Sequence, residues 1–282
     1  MKNMIKNILL PVDLSPASLN ALNTAVKMAV SHEASLHLLY VRDISGYYPQ
    51  TFPTAAAHTI LTDTFVENAD LLEEMAATIS RENRISCRFQ TAVGFTAAAV
   101  SHQATLQNAD LIIMGMPENQ HEASFLYDSV PYKVLLNTPC HVMTVPARAR
   151  INAFDHIVYP VQGRGIPMGK FPVASAIIAT NNANLSILKV MQSDDLQVLG
   201  SISHLSDRIR AKSRRIARKV RTRPLVTADA ATALTQLCRE ETADLIVIEA
   251  DTRRNMKEYF FGNFTQKMIR NPDTAVLCVK QP

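Results

Sequence analysis

The chain says nearly the same thing twice. Asn108-Ala109-Asp110-Leu111-Ile112-Ile113-Met114 returns 134 residues later as Thr242-Ala243-Asp244-Leu245-Ile246-Val247-Ile248. Ala34-Ser35-Leu36-His37-Leu38-Leu39-Tyr40-Val41 returns 149 residues later as Ala183-Asn184-Leu185-Ser186-Ile187-Leu188-Lys189-Val190. The offsets differ by 15, so the first copy carries that many extra residues between Val41 and Asn108. Repeating units of about 20–50 residues make solenoids; a period this long specifies two tandem domains instead, divided as 1–148 and 149–282. A length of 282 residues and a 47% hydrophobic content supply two buried cores.

Composition excludes several classes. No apolar run approaches the ~18 residues of a membrane span. Lys2 and Lys6 are followed only by Ile8-Leu9-Leu10 before Pro11, too short for a secretory signal. Cys87, Cys140, Cys238 and Cys278 form no CxxC pair and no metal-ligand spacing, which fits reduced thiols in a cytoplasmic protein. No nucleophile elbow, zinc helix or P-loop is present, so the default is a chain without catalysis. Residues 1–150 hold 10 Lys/Arg against 13 Asp/Glu, and residues 151–282 hold 19 against 12, so the halves attract each other.

Hydrophobic period alternates between strand and helix. In the first copy the strands are Asn7–Val12, Leu36–Val41, Arg88–Val93, Leu111–Met114 and His141–Val145. Ser15 is a helix N-cap with Pro16 in the first turn, Leu61 to Ile79 marks a long helix, and Ser129–Leu136 a short one. In the second copy the strands are His156–Val161, Leu185–Val190, Pro224–Thr227, Leu245–Ile248 and Ala275–Val279. This order implies an α/β fold of two tandem Rossmann-like domains, each a five-stranded parallel sheet with helices on both faces. Ligands of such sheets bind outside the carboxyl ends of the strands, where strand order reverses.

These residues resemble the universal stress protein (UspA-like) family. The resemblance rests on Val12-Asp13 followed by Ser15 and an alanine-rich helix, on Ala109 to Gly115, and on Phe260 to Met268 with Asn271-Pro272 before the last strand. It implies an adenine nucleotide alpha hydrolase-like fold and a stress-response role. It also implies a nucleotide cleft for ATP or AMP, with a glycine after the fourth strand, a second three positions on, and a Gly-Ser or Gly-Thr pair ten positions later. The glycines let backbone N–H groups approach phosphate oxygens. The first copy keeps Gly115 and Ser129 in this frame but has Glu118 and Asp128 for glycines; the second has Glu249, Thr252, Gly262 and Asn263. Two like charges 4 Å apart repel by about 4 kcal/mol at an effective dielectric near 20, so these carboxylates oppose a triphosphate. Asp13 stands where the family's aspartate meets the nucleoside, and Val41 where backbone groups meet the base. Gln162 replaces Asp13 in the second copy. The resulting reading is a non-enzymatic protein with degenerate nucleotide sites that acts through protein contacts. The alternative is a switch binding ATP, AMP or adenosine in the first cleft. The resemblance also implies that the last strands pair, here within one chain as a pseudo-dimer, with a homodimer and a protein partner left open.

Three segments carry open alternatives. Gly163–Gly169 reads as an anion loop or a flexible turn, with Pro167 in the first turn of the helix that follows. Residues 44–57, with Tyr47, Tyr48 and Phe52, should hold the extra length, as a lid over the cleft, a plug in it, or a surface loop. Nine Lys/Arg between Arg208 and Arg223 read as one helix with a cationic face, which is either solvated or a patch for nucleic acid or an acidic partner. No aromatic residue interleaves the cations, which disfavours nucleic acid.

Overall fold

The computed structural model describes residues 4–45, 55–117, 129–162, 168–191, 196–250, 264–271 and 273–280. In the first repeat the strands are β1 (Asn7–Pro11), β2 (Ser35–Asp43), β3 (Cys87–Gly94), β4 (Leu111–Met116) and β5 (His141–Pro146). The helices are α1 (Pro16–His32), α2 (Ala55–Asn83), α3 (Thr96–Leu106) and α4 (Val130–Asn137). The second repeat follows with β6 (His156–Val161), α5 (Phe171–Asn181), β7 (Asn184–Met191), α6 (Leu196–Ser213), β8 (Lys219–Val226), α7 (Ala230–Glu240), β9 (Leu245–Glu249), α8 (Phe264–Ile269) and β10 (Ala275–Val279).

The ten strands among the described residues join one sheet in the order β3-β2-β1-β4-β5-β10-β9-β6-β7-β8. Every pairing is parallel except the central one, where β5 and β10 run antiparallel with Leu277 opposite Met143. The 134-residue offset makes those two residues counterparts, so the pairing is a two-fold interface built inside one chain. It buries the two apolar edges that each repeat alone would expose. The cores divide by sheet face rather than by repeat. One runs under α1, α2, α5 and α6, and the other under α3, α4, α7 and α8, each continuous across the centre. Polar clamps add to the junction. Asn20 on α1 donates to the Pro146 and Ala149 carbonyls at 2.8 and 2.7 Å, and Lys27 Nζ donates to the Ile151 carbonyl at 2.9 Å.

The most visible repeated motif has a structural cause. Asp110, just before β4, accepts hydrogen bonds from the backbone N–H groups of Lys6 and Asn7 at 2.8 and 3.0 Å, and Asp244 accepts from His156 N at 2.8 Å. Each carboxylate thus sets the start of its repeat's first strand against the fourth. A hydrogen bond to a charged group contributes roughly 1.5–3 kcal/mol, so Asp110→Ala should lower unfolding free energy by about 2 kcal/mol in urea titration.

Three sequence expectations are corrected. The cationic run is not one helix: α6 stops at Ser213, and Lys219, Arg221 and Arg223 lie on β8. Lys-Val-Arg-Thr-Arg alternates with a period of two, and Val220 and Thr222 suit a strand. The third strand therefore starts at Lys219, not Pro224. The extra length of the first copy is partly helical, since α2 has 29 residues against 18 in α6, about 16 Å longer at 1.5 Å per residue. Ala55–Ala57 belong to α2, while Tyr47, Tyr48 and Phe52 lie outside the described residues. Finally, α5 begins at Phe171, with Pro172 in its first turn. Pro167 therefore precedes the helix and, with 163–166, lies outside the described residues.

Candidate functional site

Strand order reverses between β1 and β4, and their pairing covers only Ile8 with Leu111 and Leu9 with Ile112. Beyond that point β1 and β4 are no longer paired, and it is in the crevice outside the carboxyl ends at such a switch point that sheets of this kind take a ligand. Asp13, Val41 and Gly115 stand at that end of the adjacent strands β1, β2 and β4. Ser129 begins the helix that follows β4.

The turn carrying Asp13 is tightly built. Ser15 caps α1 by accepting from Ser18 N, Asp13 Oδ1 accepts from Ser15 N at 3.0 Å, and Ser18 Oγ stands 3.3 Å from Asp13 N. Partial burial works against the Asp13 charge, but the bonds from Ser15 and Ser18 outweigh it and hold the carboxyl below its ordinary range. Leu14 between them has φ +63°, a left-handed conformation that costs a non-glycine residue roughly 1–2 kcal/mol. The local bonds offset that strain and fix the carboxylate at the crevice rim.

Gly115 serves packing. A Cβ there would lie 2.4 Å from the carbonyl carbon and oxygen of Ala17 and 2.7 Å from Ser18 N. Only a glycine lets the first turn of α1 lie against β4. The side chain of Val41 packs into the α3-side core, which leaves its backbone for any base contact. Ser129 is the buried N-cap of α4, and its hydroxyl makes no capping bond. Gly262, Glu118, Asp128, Thr252 and Asn263 lie outside the described residues.

The second repeat treats the same crevice differently. β6 and β9 pair only through Ile157 with Leu245 and Val158 with Ile246 before parting. Into the gap runs Lys170, whose Nζ donates to the carbonyls of Pro160 on β6 and Val247 on β9 at 2.6 and 3.0 Å. The ammonium also lies 4.5 Å from the centre of the Tyr159 ring. The 149-residue offset puts Lys170 opposite Ala21, deep inside α1. The helix start has therefore shifted: α5 loses its first turn and a half, and a lysine fills the gap. Glu249 stands where the first copy has Gly115, and the counterparts of Ala17 and Ser18, Ile166 and Pro167, lie outside the described residues. Burial pushes the Lys170 amine down to about 8, and Glu249 partly opposes that shift. Setting the two copies side by side puts this lysine against Ala21, but nothing in the sequence places it between the strands.

A second cluster lies at the opposite end of the second repeat. His156 Nε2 is 2.8 Å from Ser186 Oγ, His156 Nδ1 is 3.0 Å from the Glu241 carbonyl, and Glu241 Oε2 is 3.1 Å from Ser186 Oγ. The residue types match a hydrolytic triad, but the order does not. The carboxylate shares Nε2 with the serine, 3.3 Å away, and competes for the serine proton instead of orienting the far nitrogen. Among the described residues no group of His, Cys, Asp and Glu is arranged to hold a metal ion. No described helix is long and apolar enough to cross a membrane.

Comparison with known proteins agrees with this geometry. The profile of the universal stress protein family matches residues 4–146 and again 154–280. Universal stress protein MJ0531 of Methanocaldococcus jannaschii is 25% identical over 144 residues, which are 51% of this chain and 84% of that protein. The crystal structure of a universal stress protein from Archaeoglobus fulgidus superposes with a TM-score of 0.75 at 16% identity, covering 98% of this chain and 96% of the other. One from Pseudomonas aeruginosa UCBPP-PA14 gives 0.65 at 16% identity, covering 99% and 94%. With its doubled sequence, single sheet and paired crevices, this chain belongs to the universal stress protein family as a tandem of two Usp domains.

Proposed function

We propose that this is a non-enzymatic, cytoplasmic stress-response protein, with units 1–148 and 149–282, that acts through contacts with a protein partner rather than by turning over a nucleotide. The observation that carries the reading is Lys170, whose side chain bridges the parted strands of the second crevice where a ligand would enter. The acidic replacements Glu118 and Asp128 argue the same way for a triphosphate in the first repeat. The central edges are used up by β5 and β10, so a homodimer would form through other surfaces.

A second reading has its own support. The strained Asp13 turn, rigidly held by Ser15 and Ser18, is the arrangement expected of a retained adenosine contact. Calorimetry and thermal shift with ATP, AMP and adenosine separate the readings. The first expects no shift in melting temperature at millimolar ATP. Micromolar binding of any of the three, abolished by Asp13→Ala, would replace it with a ligand-responsive switch in the first repeat.

A further inference from the structure

At the amino ends of β6, β7 and β8, opposite the crevices, lies an open cavity of about 510 Å³ with His156, Ser186, Lys219, Arg221, Glu241 and Thr242 among its lining residues. Four cations gather here, and they are not equivalent. Arg218 pairs with Asp155 at 3.2 Å, and Arg223 pairs with Glu241. Lys219 and Arg221 have no ion-pair or hydrogen-bond partner among the described residues, and both line the cavity. They alternate with Val220 on an edge strand, so their backbones are about 7 Å apart on one face. That spacing lets two cationic heads close on one tetrahedral anion. Among the described lining residues Glu241 is the one carboxylate, and it is already ion-paired to Arg223.

The first repeat supplies a contrast. By the strand registers, Arg88 corresponds to Arg221, Ser86 to Lys219 and His37 to Ser186. His37 is only 8% exposed and is a bulkier side chain than the Ser186 that stands at its position in the second repeat. The pair of cations is therefore a feature of the second repeat, since Ser86 stands in place of Lys219.

We propose that this cavity binds the phosphate group of a small phosphorylated metabolite, gripped by Lys219 and Arg221 with a hydroxyl donor from Ser186. Charge-assisted bonds from a guanidinium and an ammonium are the strongest available to such a group. His156 couples the site to pH. The Ser186 hydroxyl has one proton and two acceptors in reach, His156 Nε2 and Glu241 Oε2. A second proton on the imidazole resolves that competition, because Nε2 then donates. Burial opposes that proton, as do Arg221 and Arg223, while Asp244 favours it. An anion on Arg221 offsets part of the opposition, so binding should tighten as pH falls.

Sulfate tests this without titrating itself. With the full chain, calorimetry should show sulfate and glycerol phosphate binding at millimolar or better affinity. Affinity should fall at least tenfold in Lys219→Ala/Arg221→Ala and stay unchanged in Arg208→Ala/Lys212→Ala on α6. Sulfate should bind several-fold more tightly near pH 5.5 than near pH 8. Ser186→His, which installs the residue of the first repeat, should close the site, and far-ultraviolet circular dichroism checks that each variant is folded. No binding at 10 mM, or equal binding in both double variants, would overturn the proposal. So would micromolar binding of a single-stranded RNA that weakens equally in both double variants, since that would make the face a general polyanion surface.

Discussion

Gly115→Ala should lower the unfolding free energy by about 3 kcal/mol, the upper end of the range for overpacking a core. The added methyl would lie 2.4 Å from Ala17 backbone atoms, and the obstruction is main chain in a capped helical turn rather than a side chain free to rotate. Relief requires moving α1 away from β4, which breaks packing along a fully buried face. Gly200 supplies the control. It lies inside α6 with open space around it, so Gly200→Ala should raise stability by roughly 0.5–1 kcal/mol. Urea unfolding of both variants checks the pair, and a cost below 1 kcal/mol at Gly115 would mean that α1 shifts freely. The result also bears on function: packing alone demands this glycine, so its presence is no measure of phosphate binding.

Lys170 should give the chain an alkaline rise in stability. Its amine titrates near 8 when folded against 10.5 when free. Below about pH 8 the group is charged in both states, and the cost of burying it is fully present. Between about 8 and 10.5 the unfolded chain still holds a proton that the folded chain has released, so folding gains with rising pH. At 1.36 kcal/mol per pH unit the gain totals about 3 kcal/mol. The buried thiols of Cys238 and Cys278 and the Tyr159 phenol are pushed up by burial and lose stability over the same interval, so the wild-type curve alone mixes both signs. The difference between wild type and Lys170→Met isolates the lysine. That difference should change by about 3 kcal/mol between pH 7.5 and 10.5, and parallel curves would show that the amine is not confined between the strands.

The repeat made most of the fold legible. Strands with unbroken apolar runs, such as Leu111 to Met114, were plain because burial on both faces leaves no other pattern. The cationic stretch misled because Ile216 and Val220 continue the helical spacing of α6 past its end at Ser213, while the true period of two begins only at Lys219. Of the site residues, Asp13 and Ser15 were readable as a turn and cap with local causes. Lys170 was not, since its partners Pro160 and Val247 are 10 and 77 residues away. His156, Ser186 and Glu241 are separated by 30 and 55 residues, and only the pairing of β6 with β7 and the end of α7 bring them together. Contacts fixed by tertiary approach leave no local period to read.

The antiparallel seam of β5 and β10 has an evolutionary corollary. Subunits of an ordinary homodimer share one gene, so a substitution in one appears in both, and neither pocket can be given up alone. Covalent tethering removes that constraint and keeps the halves together at any dilution. Each half then accumulates its own changes: a lysine stopper in the second crevice, acidic replacements at positions 118 and 128 of the first copy's sequence, and a pair of cations at the amino ends of the second repeat's strands. Specialisation by halves, without mixed assemblies, is what a single-chain couple makes available.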